Sequence, residues 1–134
     1  MPWRLSRSKV IDPIIAHARE AAPDECCGVL LGAGQEVVEA VRTQNIADRP
    51  TQFEINPRDH FDARRAGRAR GLDVVGFYHS HPHSPAAPSE TDLANATYPD
   101  HLHLIVSLAA DPPDARLFRS EGRNFVPQPF VTVG

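Results

Sequence analysis

Gly76-Phe77-Tyr78-His79-Ser80-His81-Pro82, followed after a proline-rich gap by Ser89-Glu90-Thr91-Asp92, is the most informative stretch of this 134-residue chain. Asp73 to His81 is apolar and aromatic in its middle and predicts a strand. A strand alternates its side chains, so His79 and His81 project from the same face and their imidazoles converge. Pro82, Pro85 and Pro88 exclude regular structure between Pro82 and Pro88. Ser89 to Thr97 predicts a short helix, with Ser89 at its N-cap and Asp92 in its first turn. The intervening loop can fold that helix start back over the two histidines. Two imidazoles and one carboxylate suit Zn²⁺, and three protein ligands leave a fourth position open, as at a catalytic zinc. No C-x-x-C pair is present to build a closed structural site. On the residues alone a plainer reading also stands: two ordinary strand histidines, and a serine and aspartate that merely cap a helix.

Outward from this stretch the chain alternates helices and strands. Val10, Ile11, Ile14, Ile15 and Ala18 recur at helical spacing, so Ser8 to Ala22 predicts a helix with Ser8 as a possible cap and Pro23 as its stop. Cys26 to Leu31 predicts a buried strand closed by Gly32-Ala33-Gly34. Gln35 to Arg42 and Thr51 to Ile55 predict two more strands. Pro57 to Arg70 predicts a second helix, with Pro57 in its first turn and Gly71 after its end. Leu102 to Leu108 and Ala115 to Arg119 predict strands, and the tail after Asn124 offers one more. The pattern fits one mixed α/β or α+β domain spanning residues 1–134, built around a single sheet.

Composition narrows the functional classes. Apolar residues make up 41% and charged residues 23%, ordinary for a globular protein. The net charge of −3 argues against nucleic acid as the main partner. No apolar run approaches the ~20 residues of a membrane span, and Met1 to Ser8 is too polar to begin a secretory signal. The two cysteines, Cys26 and Cys27, are neighbours whose side chains point to opposite faces of a strand, so they do not pair with each other. Unpaired thiols fit a reducing, cytoplasmic setting.

With these residues in view, the chain resembles the JAMM (MPN-plus) zinc metallopeptidases. That family carries H-x-H-P, six residues, Ser, two residues, Asp, matched here by His79-Ser80-His81-Pro82, Ser89 and Asp92. Its second signature, Pro-x-Glu-x-Cys-Gly before an apolar strand, is matched by Pro23-Asp24-Glu25-Cys26-Cys27-Gly28. The resemblance runs from the first helix to about Leu108. It implies a fold similar to cytidine deaminases, with a curved, mostly antiparallel central sheet flanked by helices. It also implies one Zn²⁺ on His79, His81 and Asp92, with Glu25 as general base and Ser89 steadying the oxyanion. The implied reaction is hydrolysis of an amide or isopeptide bond by a zinc-activated water. The chain has no room for the long insertions of the eukaryotic ubiquitin-chain enzymes. It resembles instead short members that act on ubiquitin-like or sulfur-carrier proteins, among them a Mec-like branch that frees cysteine from a carrier's C-terminus. A carrier tail ending in Gly-Gly would fit a narrow cleft.

Two other classes match the residues less well. A non-catalytic MPN-type scaffold or protein-binding domain would typically lack the metal ligands. A zinc nucleobase deaminase would need H-x-E and P-C-x-x-C, and neither is present. His83 either lines the site or occupies a polar loop. His17, His60, His101 and His103 default to surface or satisfied structural roles. Cys27 beside Gly28 is expected in strand packing rather than as a ligand. Arg64, Arg65, Arg68 and Arg70 form either a solvated helix face or a patch for an acidic partner.

Overall fold

The computed structural model describes residues 1–94 and 98–134. Eight strands form one sheet: β1 (Trp3–Ser6), β2 (Cys27–Ala33), β3 (Glu36–Thr43), β4 (Asp73–His81), β5 (Leu102–Ser107), β6 (Asp114–Glu121), β7 (Asn124–Gln128) and β8 (Phe130–Val133). Among the described residues three α-helices accompany them: α1 (Asp12–Ala21), α2 (Pro57–Ala69) and α3 (Glu90–Ala94). The strand order is β7-β6-β5-β4-β2-β3-β1-β8. Pairing is antiparallel except at β4/β5, β1/β3 and β1/β8. The mixed α+β domain around one sheet is the one the residue pattern predicts, and its mostly antiparallel, curved sheet is the one the resemblance implies.

The sheet curls. β7 and β8 lie at opposite ends of the strand order, yet only Pro129 separates them in sequence. Two peptide steps reach ~7 Å at most, so the two edges of the sheet must come together. The Arg119 guanidinium of β6 lies 5.9 Å from the centre of the Trp3 ring of β1 across that seam. Inside the curl sits α1, entered through a single π turn at Arg7–Ile11. The apolar stripe of the π turn and α1, Val10, Ile11, Ile14 and Ala18, is buried against Leu5, Leu30, Val37, Tyr78, Leu104 and Leu117. Burial of a side chain such as Ile14 contributes ~2–3 kcal/mol. On the other face α2 covers Val29, Leu31, Val74 and Phe77 with Ala63.

One irregularity sets which way the site residues point. Leu30 pairs with Gly76 but Leu31 pairs with Val74, so Val75 is an extra residue on β4. Such a bulge resets the alternation. Val75 and Tyr78 turn to the α1 side, whereas Val74 and Phe77 turn to the α2 side. Gly28 permits this packing: a Cβ there would lie 2.1 Å from Tyr78 Cε2 and 2.4 Å from the Val41 carbonyl.

Three expectations need correction. Thr51 to Ile55 is not a strand. It makes one isolated bridge, Asn45 to Ile55, and the Asn45 side chain takes hydrogen bonds that a neighbouring strand would supply. Ser6 caps the first helical turn in place of Ser8, accepting from the Lys9 N–H at 3.1 Å. The N-terminus forms β1 and the C-terminal tail two strands, because Trp3 and Leu5 bury themselves while Ser6 and Val133 pair across the edge. The expected helix from Ser89 is α3 as far as Ala94, and its last residues, 95–97, lie outside the described residues. Among the described residues no helix is long and apolar enough to cross a membrane.

Candidate active site

His79 and His81 end β4, an inner strand paired to β2 on one side and β5 on the other. Their Nε2 atoms lie 3.1 Å apart. Asp92 Oδ2 lies 3.1 Å from His79 Nε2 and 3.2 Å from His81 Nε2. All three side chains are buried. Asp92 reaches them because Ser89 and Asp92 cap α3 reciprocally. Asp92 N–H donates to Ser89 Oγ at 3.0 Å, and Ser89 N–H donates to Asp92 Oδ2 at 2.9 Å. The capping pair and the converging carboxylate are therefore one arrangement.

This triangle fits a tetrahedral cation. At metal–ligand bonds of ~2.0–2.1 Å, the corners of a tetrahedron stand ~3.3 Å apart. His81 Nδ1–H donates to the Pro85 carbonyl at 2.7 Å, so a neutral His81 would offer its Nε2 lone pair to a metal. Without one, burial lowers His81, but its hydrogen bonds with Asp92 and the Pro85 carbonyl outweigh burial and raise it, so that Nε2 carries a proton toward Asp92. Burial raises Asp92, but its hydrogen bonds with the two imidazoles outweigh burial and hold it far below the usual carboxylate range. The carboxylate is thus ionised, as a ligand must be. Burial lowers His79.

Glu25 stands beside the triangle, just ahead of β2. One carboxylate oxygen of Glu25 and one nitrogen each of His79 and His81 lie within 4.8 Å of one another. Glu25 is 8% exposed, and its Oε1 has no hydrogen-bond partner among the described residues. Burial, helped by Asp92 and opposed by His81, pushes its carboxyl up to about 7. Neighbouring backbone fixes its place. Cys26 N–H donates to Ser80 Oγ at 2.8 Å, and Ser80 N–H returns a bond to the Cys26 carbonyl at 3.1 Å. The middle residue of H-x-H thus locks the histidine strand to the segment that carries Glu25, a role the sequence reading missed.

Ser89 is exposed at the start of α3. Its oxygen accepts from Asp92 N–H, which leaves its hydroxyl proton free to donate. Cys27 packs as expected, with Sγ 3.4 Å from Thr43 Oγ1. Burial pushes both Cys26 and Cys27 up to about 11, so they remain thiols. His83 is exposed in its loop. His17 shares a 2.7 Å hydrogen bond with the Tyr78 hydroxyl, and His101 Nδ1 donates to the Pro99 carbonyl at 2.9 Å. Arg64 bonds His60 and Arg70 pairs with Glu39, in line with a solvated helix face.

Two cavities flank the triangle. One, of about 770 Å³, includes His79 and Asp92 in its wall, with Phe53, Phe77, Phe125 and His103. The other, of about 490 Å³, includes Glu25, His17 and Arg49. Residues 44–56 run between them, and Ala47 and Asp48 line both. Asn45 organises this segment. Its Nδ2 donates to the Glu25 and Gln52 carbonyls at 3.0 Å each, and its Oδ1 accepts from the Ala47 and Glu54 amides at 3.0 and 2.9 Å. Phe53 is thereby stacked on His79, with ring centres 4.2 Å apart. Asn45 and Phe53 escape the sequence reading, which gives His103 only a surface or satisfied structural role. For His103 a signal exists, since it is a polar residue inside an otherwise apolar strand.

Comparison with known proteins bears on this geometry. The family model described as prokaryotic homologs of the JAB domain matches residues 7–121. The chain is 39% identical over 117 residues to a desampylase of Haloferax volcanii, covering 82% of this chain and 81% of that protein. It is 36% identical over 103 residues to the CysO-cysteine peptidase of Mycobacterium tuberculosis, covering 75% and 70%. The solution structure of a Desulfitobacterium hafniense protein superposes with a TM-score of 0.87 at 30% identity, over 97% of this chain and 92% of that one. A JAB1/MPN domain protein of Archaeoglobus fulgidus shares the fold, with a TM-score of 0.66 at 22% identity over 98% and 97%.

Proposed function

The chain belongs to the prokaryotic homologues of the JAB domain, and from that premise we propose that it is a zinc-dependent hydrolase of amide or isopeptide bonds, acting as a single domain at the C-terminal Gly-Gly of a ubiquitin-like or sulfur-carrier protein. The observation that carries this reading is the triangle of His79, His81 and Asp92 with the unpartnered Glu25 oxygen beside it. His79, His81 and Asp92 would hold the metal. When bound, zinc supplies a Lewis acid and brings the pKa of a water down to near neutral.

Glu25, raised to about 7, takes a proton from the attacking water and later passes it to the leaving amine. The Ser89 hydroxyl donates to the carbonyl oxygen as negative charge develops there, a contact whose loss costs ~3 kcal/mol. Neither cysteine serves as nucleophile, because burial keeps both protonated near neutral pH. The desampylase and CysO-cysteine peptidase among the relatives support a carrier conjugate as substrate. Buried, unpaired Cys26 and Cys27 support a reducing cytoplasm as its setting.

Selectivity must come from the cleft, since the hydrolytic centre attacks any carbonyl it reaches. Release of the C-terminal adduct, followed by mass, is compared for one carrier body bearing Gly-Gly or Ala-Val tails. The expected result is release at least ~10-fold faster from the Gly-Gly tail. Equal rates would replace the carrier reading with a general peptidase.

A further inference from the structure

Glu25 Oε1 and His103 Nε2 are the buried side-chain atoms without a hydrogen-bond partner among the described residues. They line different cavities on either side of the His79–His81–Asp92 triangle. The proposed reaction gives Glu25 a water to bind. It gives His103 nothing.

His103 lies on β5 opposite Phe77, two residues before Ile105, which pairs with His79. It is 7% exposed. Its ring stacks on Phe125, with centres 4.4 Å apart and planes 22° apart. A phenyl ring would pack there equally well. A buried nitrogen without a partner costs stability that a hydrocarbon of the same shape avoids. The nitrogen is explained if a ligand satisfies it.

The cavity says what that ligand resembles. Its floor holds Phe77, His79 and His103, all nearly buried, while Ile46 and Tyr98 at its mouth are each 41% exposed. Among the described residues Asp48 and Glu54 are the exposed charges on its wall, and no lysine or arginine lines it. An apolar, uncharged or basic segment fits such a wall, and an acidic one is repelled.

We propose that His103 is a substrate-positioning residue: its Nε2 pairs with a peptide group of the polypeptide flanking the scissile amide, while Phe53 and Phe125 cover the adjoining apolar side chain. A neutral imidazole serves either a peptide carbonyl or a peptide N–H, according to its tautomer. The placement next to the scissile bond rests on the hydrolase reading above. The pairing itself is tested by binding, without turnover.

The probe is a ubiquitin-like carrier ending in Gly-Gly and joined by an isopeptide bond to a lysine-containing peptide. Its Kd is measured against zinc-loaded Glu25→Gln protein with and without His103→Phe. The phenyl ring keeps the stack on Phe125 and removes both nitrogens. Loss of one neutral hydrogen bond predicts five- to tenfold weaker binding, with zinc content unchanged and Tm unchanged or raised. His103→Gln restores Kd to within about threefold of the parent. In the otherwise native enzyme, His103→Phe raises KM by the same factor and leaves kcat within about twofold. Equal Kd with and without His103→Phe overturns the proposal, and so does weaker binding accompanied by a fall in Tm. Absence of turnover in the native enzyme would instead sink the hydrolase reading and leave the binding result to stand or fall by itself.

Discussion

The two sides of the site are held by different means. His79 and His81 sit on a strand laddered to β2 and β5, with Ser80 adding a further tie to Cys26. The facing segment, residues 44–56, has one isolated bridge with a backbone hydrogen bond on either side of it, Ile46 N–H to the Glu54 carbonyl and Asn56 N–H to the Gln44 carbonyl, and is tied further by the four hydrogen bonds of Asn45. The proposed ligands on β4 are thus placed by repetitive backbone pairing, which no single side chain controls. The wall that residues 44–56 present to a substrate depends on a few backbone bonds and on one side-chain amide. Breaking the first side should unfold the molecule, and breaking the second should leave a folded protein with a loosened site.

The largest effect is expected where the ladder is tightest. Gly28→Ala puts a Cβ 2.1 Å from the Tyr78 ring and 2.4 Å from the Val41 carbonyl. It should cost about 3 kcal/mol or more, measured as the shift in a denaturant midpoint. A neutral result would mean that β2 and β4 are not locked together. Asn45→Ala should cost about 2 kcal/mol and lower turnover ~10–100-fold with zinc content unchanged. If zinc is lost with it, the segment supports the ligands as well as the walls and the contrast fails.

Glu25 sharpens the contrast through pH. Its carboxyl is raised from 4.5 to about 7 in the folded protein, first by burial. Between those values the folded state binds more protons than the unfolded one, so stability falls as pH rises through that window. In protein stripped of metal, Glu25→Gln should therefore gain little at pH 4 and on the order of 2 kcal/mol at pH 8, less than the full shift because the carboxylate faces an open cavity. A gain independent of pH would show that the Glu25 charge is not what strains the site. The smallest effect is Phe53→Ala. Loss of its stack on His79 should change kcat/KM ~3–10-fold and leave the denaturant midpoint nearly fixed.

The same contrast separates what was legible in the sequence. The convergence of His79 and His81 follows from strand alternation alone, and Asp92 from a capping pattern three residues long. Both rules are local, and the structure places the three residues together. Residues 51–55 look like a strand by the same local rule but fold otherwise, because Asn45 captures the Gln52 carbonyl and the Glu54 amide. Phe53 was therefore invisible as a partner of His79. β1 escaped notice because Arg4 and Ser6 make its four residues look polar, although Trp3 and Leu5 already alternate inward. From sequence His103 reads as a surface or satisfied structural residue, because only the sheet order shows that it faces a cavity beside His79.

The most direct test asks whether Glu25 is a base or a ligand, since its carboxylate lies close enough to both histidines for either. Zinc per chain and turnover on a Gly-Gly carrier conjugate are measured together for the native protein, His79→Ala and Glu25→Gln. The native chain should carry about one zinc, His79→Ala none, and Glu25→Gln about one with turnover down ~10³-fold or more. Loss of zinc from Glu25→Gln, or turnover that survives in it, would contradict the assignment.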